Sequence, residues 1–377
     1  MKIGLVTMYT PEIAAFGEKT SEDKADYCAI HNYDFIGASN RLGDISRPPP
    51  WDKILLLERH LEQYDWLFWT DADAVIMDFS PRLEDFLDDT ADIIITKDVN
   101  GINSGNWFLK NSPGVFRFLR DVYKQEDLIH HIWWEQAAMM RLIENRPDLR
   151  IKYLDPVSFN SYHDQFSPGD FMLHFAGICD KGNLVTQARY SSSLSVECRE
   201  EFPWLFRHLN LVKRGAEIGV QNGDFAAILN GRLPTTDIFL IDHWRHDPKQ
   251  VGIANVSDSE QEVIFRSTSR RFENNKRIRL LRQTSVTAAS QFDDGYFDWV
   301  YIDASHDYES VKSDLNAWYR KVRKGGVLCG HDFLDGNTPA GIFGVKSAVM
   351  EFAAEKNVFL RQTQTTDWPS WYFVKRT

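Results

Sequence analysis

Two sets of residues in this sequence have the types and spacing to do chemistry. Asp71 and Asp73 stand one residue apart, directly after the apolar run Trp66-Leu67-Phe68-Trp69. In an open α/β sheet such a strand end faces the ligand crevice. Two carboxylates at one rim repel each other unless a proton or a cation intervenes. A hard divalent ion with oxygen ligands suits them, and such an ion commonly bridges to a diphosphate. The same spacing also occurs in a plain turn or helix cap, and spacing alone leaves the two readings level.

The second set lies in the C-terminal half. Glu217-Ile218-Gly219-Val220-Gln221-Asn222-Gly223 follows strand-like residues and precedes a helix at 224–229. A Gly-x-x-x-Gly turn at that junction permits a tight backbone and close approach of a cofactor. Its spacing departs from Gly-x-Gly-x-x-Gly, which disfavours NAD. Asp242 closes the next strand, where a ribose-binding carboxylate belongs. Two further apolar runs end in Asp303-Ala304-Ser305-His306 and in His331-Asp332. If those strands are neighbours, Asp303, His331 and Asp332 meet at one rim and offer three ligands to a divalent ion. His306 would stand nearby, with an ordinary pKa of about 6.5 fit for taking a hydroxyl proton. The alternative is that His306 caps the following helix and Asp332 a turn.

Three more segments surround the first pair in sequence order. Gly101-Ile102-Asn103-Ser104-Gly105-Asn106-Trp107-Phe108-Leu109 combines glycines with small amides and a hydroxyl, suited to close backbone approach and to reading sugar hydroxyls. Trp133-Trp134-Glu135-Gln136 sets a carboxylate and an amide beside two aromatics, and 171–177 carries one imidazole, His174, before a turn glycine. Each has a plainer reading as a core histidine, a capping acid or a hairpin glycine.

The elements that must position these residues form two successive α/β patterns. The first has strands at 2–9, 66–69 and 91–96 and helices at 51–61, 115–123 and 133–142, with the break Pro48-Pro49-Pro50 ahead of the first of those helices. From 178 to 201 the apolar periodicity lapses, which reads as an inter-domain segment. A helix at 202–211 then opens a second unit, with strands at 215–220, 237–242, 276–281, 299–303 and 326–330. That alternation implies a parallel, doubly wound sheet with right-handed crossovers. The expected domains are therefore 1–180, a linker at 181–201, and 202–377. The length of 377 residues agrees with two domains.

The net charge of −11 argues against nucleic acid and against an anionic membrane surface. Four scattered cysteines form neither a metal-ligand pattern nor a disulfide framework, which favours a reducing compartment. The opening residues read as a strand rather than a signal peptide, and no apolar run approaches a membrane span. A cytoplasmic location is the expectation.

Taken in order, Asp-x-Asp at 71–73, Asn-x-Gly-x-Trp-Phe-Leu at 103–109, Glu-Gln-x-Ala at 135–138 and His-Phe-x-Gly at 174–177 resemble the galactosyl/xylosyl/mannosyl transferases of yeast and plant wall synthesis. The resemblance covers about residues 1–180 and implies a GT-A fold with retaining sugar transfer. By it, Asp71, Asp73 and His174 would hold Mn²⁺ or Mg²⁺ against the diphosphate of a UDP- or GDP-linked donor. Lys53 would lie near the donor nucleotide, and Thr7, Asn103 and Gly105 would contact donor or acceptor. Glu135 and Gln136 would be the catalytic pair at the sugar, with Glu135 as nucleophile or, alternatively, same-face attack by the acceptor. Against that resemblance, the domain is expected to be shorter than its eukaryotic counterparts and to do without their membrane anchor.

Glu-x-Gly-x-x-x-Gly, the strand-end Asp242, Ile-Asp-x-x-His at 302–306 and Gly-Gly-x-x-x-x-His-Asp at 325–332 resemble class I methyltransferases that use S-adenosylmethionine. The macrolide and aminocoumarin sugar O-methyltransferases are the nearest in pattern, over about residues 200–377. This implies Glu217, Gly219, Gly223, Asp242, Ser285 and Asp303 at the cofactor, Asp303 and Asp332 on Mg²⁺, and His306 as base. His331 stands where many relatives carry a carboxylate. The polar segment 243–276 would be an active-site lid, and such enzymes often form homo-oligomers. The combined expectation is a bifunctional enzyme that transfers a sugar to a glycan acceptor and methylates a sugar hydroxyl. The alternative keeps the methyltransferase and makes the first domain a non-catalytic carbohydrate-binding module.

Overall fold

The structure, a computed structural model, describes residues 1–248, 254–338 and 341–377. The chain divides into two units, Met1–Leu194 and Ser195–Thr377, both α/β. In the first, Trp66–Thr70 is buried along its whole length, as a strand covered on both faces must be. Around it lies a six-stranded sheet in the spatial order Asp34–Ala38, Ile3–Met8, Trp66–Thr70, Gly101–Lys110, Ile93–Asp98, Ile151–Leu154. The first three strands are parallel, and Gly101–Lys110 runs antiparallel to both of its neighbours. The glycines and small polar residues of 101–106, expected ahead of an apolar strand, are themselves part of that strand.

Helices sit on this sheet where the sequence places apolar residues at helical spacing. Ile54, Leu57 and Leu61 of Asp52–Leu61 are fully buried. Pro113–Tyr123 starts with proline at its first turn, and the Ser112 hydroxyl accepts from Val115 N at 3.3 Å. A separate three-stranded sheet, Ala74–Ile76, Met172–His174 and Ser161–Tyr162, sits beside the end of Trp66–Thr70.

The second unit holds a seven-stranded sheet in the order Ile278–Arg282, Asp237–Asp242, Arg214–Ile218, Phe297–Ile302, Val322–Gly330, Trp371–Val374, Arg361–Gln362. The first five strands are parallel; the last two are antiparallel additions at one edge that the alternating pattern did not announce. The expected neighbourhood of the strands at 299–303 and 326–330 is present, with Ile302 paired to Gly330.

The stretch read as a linker, 181–201, is structured and shared between the units. Gly182–Arg189 is a helix of the first unit, where Val185 is fully buried and the Arg189 guanidinium meets Asp23. Val196 and Glu197 belong to the second unit, where their carbonyls accept from Gln364 N at 3.2 Å and Thr365 N at 3.0 Å. Single buried anchors such as Val185 and Val196 fix the chain without producing a periodic pattern. Among the described residues no helix is long and apolar enough to cross a membrane, and no disulfide is present.

Candidate active sites

The first site forms where Trp66–Thr70 runs out. Asp71 N donates to Gly105 O at 2.7 Å, and Ala74 N donates back to Asp71 O at 3.1 Å, which turns the chain into Ala74–Ile76. Antiparallel register then pairs Ala74 with His174. One ligand atom from each of Asp71, Asp73 and His174 consequently lies within 4.8 Å of the others. Gly105 backs this cluster, since a Cβ there would stand 2.1 Å from His174 Cε1. A residue that sequence reading missed aims the imidazole. Asn160, fully buried, takes an N–H from Asn106 on Oδ1 at 2.6 Å, and His174 Nδ1 lies 2.8 Å from the same oxygen. That network favours a proton on Nδ1 and leaves Nε2, 3.4 Å from Asp73 Oδ1, as the ligand atom.

Cations of the chain itself balance these acids. Asp71 Oδ1 receives the Trp69 indole N–H at 2.7 Å and lies 3.0 Å from Lys53 Nζ. Lys53 also reaches Glu135 Oε1 and Ser104 O, both at 2.9 Å. Expected near the donor nucleotide, it stands at this same rim as a buried brace between Asp71 and Glu135. Thr7, expected at the donor, is fully buried and sits 3.4 Å from the ammonium of Lys24. Lys24, also missed, holds Asp71 O at 2.7 Å, and burial, opposed by Asp73, Asp71 and Asp23, lowers it to about 8. Burial acts against ionisation of Asp73, but His174 and Lys181 outweigh it and hold its carboxyl far below the usual range.

Gln136 Oε1 accepts from Ser104 N at 3.0 Å, and Asn103 Oδ1 from Gly105 N at 2.8 Å, so both amides shape the start of the strand Gly101–Lys110. Glu135 is 2% exposed; Oε2 has no hydrogen-bond partner, and burial pushes its carboxyl up against the pull of Lys53. Trp133 and Trp134 next to it stay 43% and 42% exposed, with Trp134 in a left-handed backbone conformation (φ 42°). Two carboxylates and one imidazole form a donor set that fits Mn²⁺ or Mg²⁺.

The second site is a cavity of roughly 800 Å³ along the C-terminal ends of the parallel strands, within the size range of cofactor pockets. Gly219 (φ 85°) is required there, because a Cβ would fall 2.0 Å from Asp303 O. Asp242 uses Oδ2 to hold Val220 N at 2.9 Å and Gln221 N at 3.0 Å, and Oδ1 to hold Trp244 N at 2.8 Å. It shapes the glycine turn as well as lining the cavity. Gly223 lies behind the wall and packs on Phe272. Ser285 lines the cavity and donates to Asp314, whose carboxyl burial raises to about 6. In the segment expected to be a lid, residues 249–253 lie outside the described residues. Its helix Asp258–Phe272 is pinned to the glycine turn by Thr268, which donates to Gln221 O at 2.9 Å.

At one end of the cavity Asp303, His306 and Asp332 bring ligand atoms within 4.8 Å of one another. His306, not His331, completes this trio. Asp332 adopts φ 54° straight after its strand, and His331 turns onto Asp332 Oδ1 at 2.7 Å. His306 stacks on Phe343 at 4.6 Å with Nε2 2.9 Å from Asp332 Oδ2, an off-line contact. Burial lowers its pKa, but Asp303 and Asp332 overcome that and raise it to about 9. Two residues at the cavity are conspicuous for what they lack. Glu217 Oε2 is buried without a hydrogen bond, and so is Nε of Arg199, which sequence reading missed.

Fold and site together define a chain with a glycosyltransferase-type unit and a methyltransferase-type unit. Residues 7–91 and 87–185 match the galactosyl transferase GMA12/MNN10 family, and residues 216–333 match a methyltransferase domain. The first unit is a domain of that galactosyl transferase family and the second a methyltransferase domain. An alpha-1,2-galactosyltransferase of Schizosaccharomyces pombe is 23% identical over 43% of this chain and 56% of its own length. An uncharacterized alpha-1,2-galactosyltransferase of the same yeast is 26% identical over 41% and 54%. The chain thus spans somewhat more than half the length of these curated relatives. Among solved structures, a glycosyltransferase involved in glycosylating the major capsid of PBCV-1 aligns with 50% of this chain and 100% of its own, at 16% identity and TM-score 0.45. Aeropyrum pernix fibrillarin in complex with S-adenosyl-L-methionine aligns with 43% and 66%, at 12% identity and TM-score 0.31.

Proposed function

We propose that this chain carries two transferase activities. The first unit moves a sugar from a nucleotide-diphosphate donor to a glycan with the help of a divalent ion, and the second methylates a sugar hydroxyl from S-adenosylmethionine. The observation that carries this reading is the pair of carboxylate–imidazole clusters, Asp71/Asp73/His174 and Asp303/His306/Asp332, each at a strand-end rim in a domain of the matching transferase type.

At the first site Asp71, Asp73 and His174 would hold Mn²⁺ or Mg²⁺, which supplies charge neutralisation to the departing diphosphate. Lys181, on the same carboxylate, adds positive charge at that rim. Asn160 keeps His174 Nε2 free to ligate. Glu135, braced by Lys53 and with Oε2 uncommitted, is assigned to the transferred sugar in a retaining reaction, with Gln136 shaping the strand beside it. The half-exposed Trp133 and Trp134 offer flat apolar faces to a sugar ring.

At the second site the cavity takes the cofactor, with Asp242 toward the ribose and Gly219 allowing the close approach. Asp303 and Asp332 are assigned to a divalent ion, whose charge would offset the two carboxylates that hold His306 protonated and so leave it neutral to take the acceptor hydroxyl proton as base. Galactose is the donor sugar that the names of the yeast relatives favour. The direct test screens donor hydrolysis by the purified protein across UDP- and GDP-sugars with Mn²⁺, each with and without EDTA. Turnover of one donor that EDTA abolishes is expected. No turnover of any donor, together with retained methyl transfer, would instead favour a carbohydrate-binding first unit.

A further inference from the structure

A helix of a globular domain normally turns apolar residues to the core. The helix Ala14–His31 departs from this over one turn, where Thr20, Asp23 and Lys24 are all buried. Their spacing (i, i+3, i+4) puts the three on one face. Buried polar groups cost free energy unless each finds a partner. The partners of these three lead to the carboxylate–imidazole cluster of the first unit.

Thr20 Oγ1 donates to Ala72 O at 2.7 Å, and Lys24 Nζ donates to Asp71 O, also at 2.7 Å. These are consecutive main-chain carbonyls, and Ala72 is the residue that separates the two carboxylates of the cluster. The chain has left the strand Trp66–Thr70 here and is turning, so its carbonyls look to side chains for donors. Asp23 in turn takes the Arg189 guanidinium on both of its oxygens. Arg189 closes the helix Gly182–Arg189, and Lys181 at the start of that helix holds the Asp73 carboxylate. One turn of Ala14–His31 therefore grips the main chain at Asp71 and Ala72 directly, and the Asp73 carboxylate through a second helix.

We infer that Thr20, Asp23 and Lys24 are positioning residues of the sugar-donor site, fixing the 71–73 turn so that Asp71 and Asp73 face one divalent ion. None of the three belongs to the cluster itself. Their action runs through the shape of the main chain. Without the Thr20 hydroxyl, Ala72 O is a buried acceptor that has lost its donor. The turn relieves that demand by rotating its peptide units, which moves the two carboxylates apart. The effect falls on affinity for the ion and spares the chemical step once the ion is bound.

This rests on reading Asp71, Asp73 and His174 as ligands of a divalent ion, and the test separates the two. Mn²⁺ is titrated into the full chain with UDP or GDP present, and bound ion is read by electron paramagnetic resonance. The ion that Asp73→Asn removes is the one at this site. Thr20→Val keeps the branched shape and loses the donor, whereas Thr20→Ser keeps the donor and loses a methyl group. Thr20→Val is expected to weaken this Mn²⁺ about ten-fold, the scale of lost outer-sphere partners, with Thr20→Ser within about two-fold of the parent. At saturating Mn²⁺, kcat for donor turnover should stay within about two-fold in both. Unchanged affinity in Thr20→Val, equal weakening in the two variants, or a loss that saturating Mn²⁺ does not relieve overturns the inference. Should Thr20→Val not fold, Arg189→Lys decides through the other anchor: weaker Mn²⁺ supports the positioning role and unchanged Mn²⁺ overturns it. Absence of any Asp73-dependent Mn²⁺ in the unaltered protein overturns the ion reading itself, and the positioning role with it.

Discussion

The two sites draw on the same side-chain types at the same kind of strand-end rim, and they differ in how their acids are balanced. At the first, lysines of the chain answer the carboxylates: Lys53 for Asp71 and Glu135, Lys181 for Asp73. In the cofactor cavity of the second, Glu217 Oε2 has no partner and Asp314 is held by the neutral hydroxyl of Ser285. The directions of titration follow. Asp73 is held down by His174 and Lys181, and Asp332 by His306 and His331; burial drives Glu135 up against the pull of Lys53 at the first site, and Glu217 and Asp314 up at the second. The first rim is electrostatically prepared before anything binds. At the second, among the described residues, no lysine pairs with Glu217 or Asp314.

The strongest way to break that contrast is at Asp73. Asp73→Asn should reduce sugar-donor turnover on the order of a thousand-fold, because it removes a ligand of the charge-neutralising ion. S-adenosylhomocysteine binding should stay within about two-fold, the sites having no residue in common. Assaying the two ligands on one preparation checks both halves of the expectation.

A smaller effect concerns Asp314. Its folded-state pKa of about 6 lies above the ordinary carboxylate value. Between about pH 4 and 6 the folded state thus keeps a proton that the unfolded chain has released. Its contribution to stability is greatest below about pH 4, falls as pH rises to 6, and stays low above. Asp314→Asn should therefore be more stable than the parent at pH 7 by up to about 3 kcal/mol. That advantage should vanish near pH 4. Denaturant unfolding of both proteins across this range reads the difference directly.

Asn160 sharpens the comparison from the other side. It touches no substrate and aims His174 from behind. Asn160→Ala should weaken Mn²⁺ activation of donor turnover about ten- to a hundred-fold, as losses of outer-sphere partners do. Saturating Mn²⁺ should restore much of the rate. A loss that Mn²⁺ does not relieve would mean that Asn160 serves the fold rather than the imidazole.

Much of both sites was legible because strand ends and glycine turns leave local marks. Asp71 and Asp73 follow an uninterrupted apolar strand, and Gly219 sits at a strand-to-helix junction, so their positions follow from neighbours in sequence. Asn160, Lys24 and Lys181 were not legible, because each gains its role from partners outside its own segment. Lys24 meets Asp71 across 47 residues, and Lys181 meets Asp73 across 108. Arg199 was hidden for another reason: it sits where periodicity lapses, and an aperiodic stretch held by one or two buried anchors looks like a linker. The exchange of His331 for His306 came from one left-handed residue, Asp332, whose backbone angle no composition or spacing reports.

The account turns on the independence of two transferase sites within one chain. Its most direct test assays both reactions in the unaltered protein, in Asp73→Asn and in Gly219→Ala, whose added Cβ would stand 2.0 Å from Asp303 O. Crossed inactivation is predicted: sugar-donor turnover is lost in the first variant alone and cofactor binding in the second alone. Loss of both functions in either variant, with the protein still folded, would contradict it.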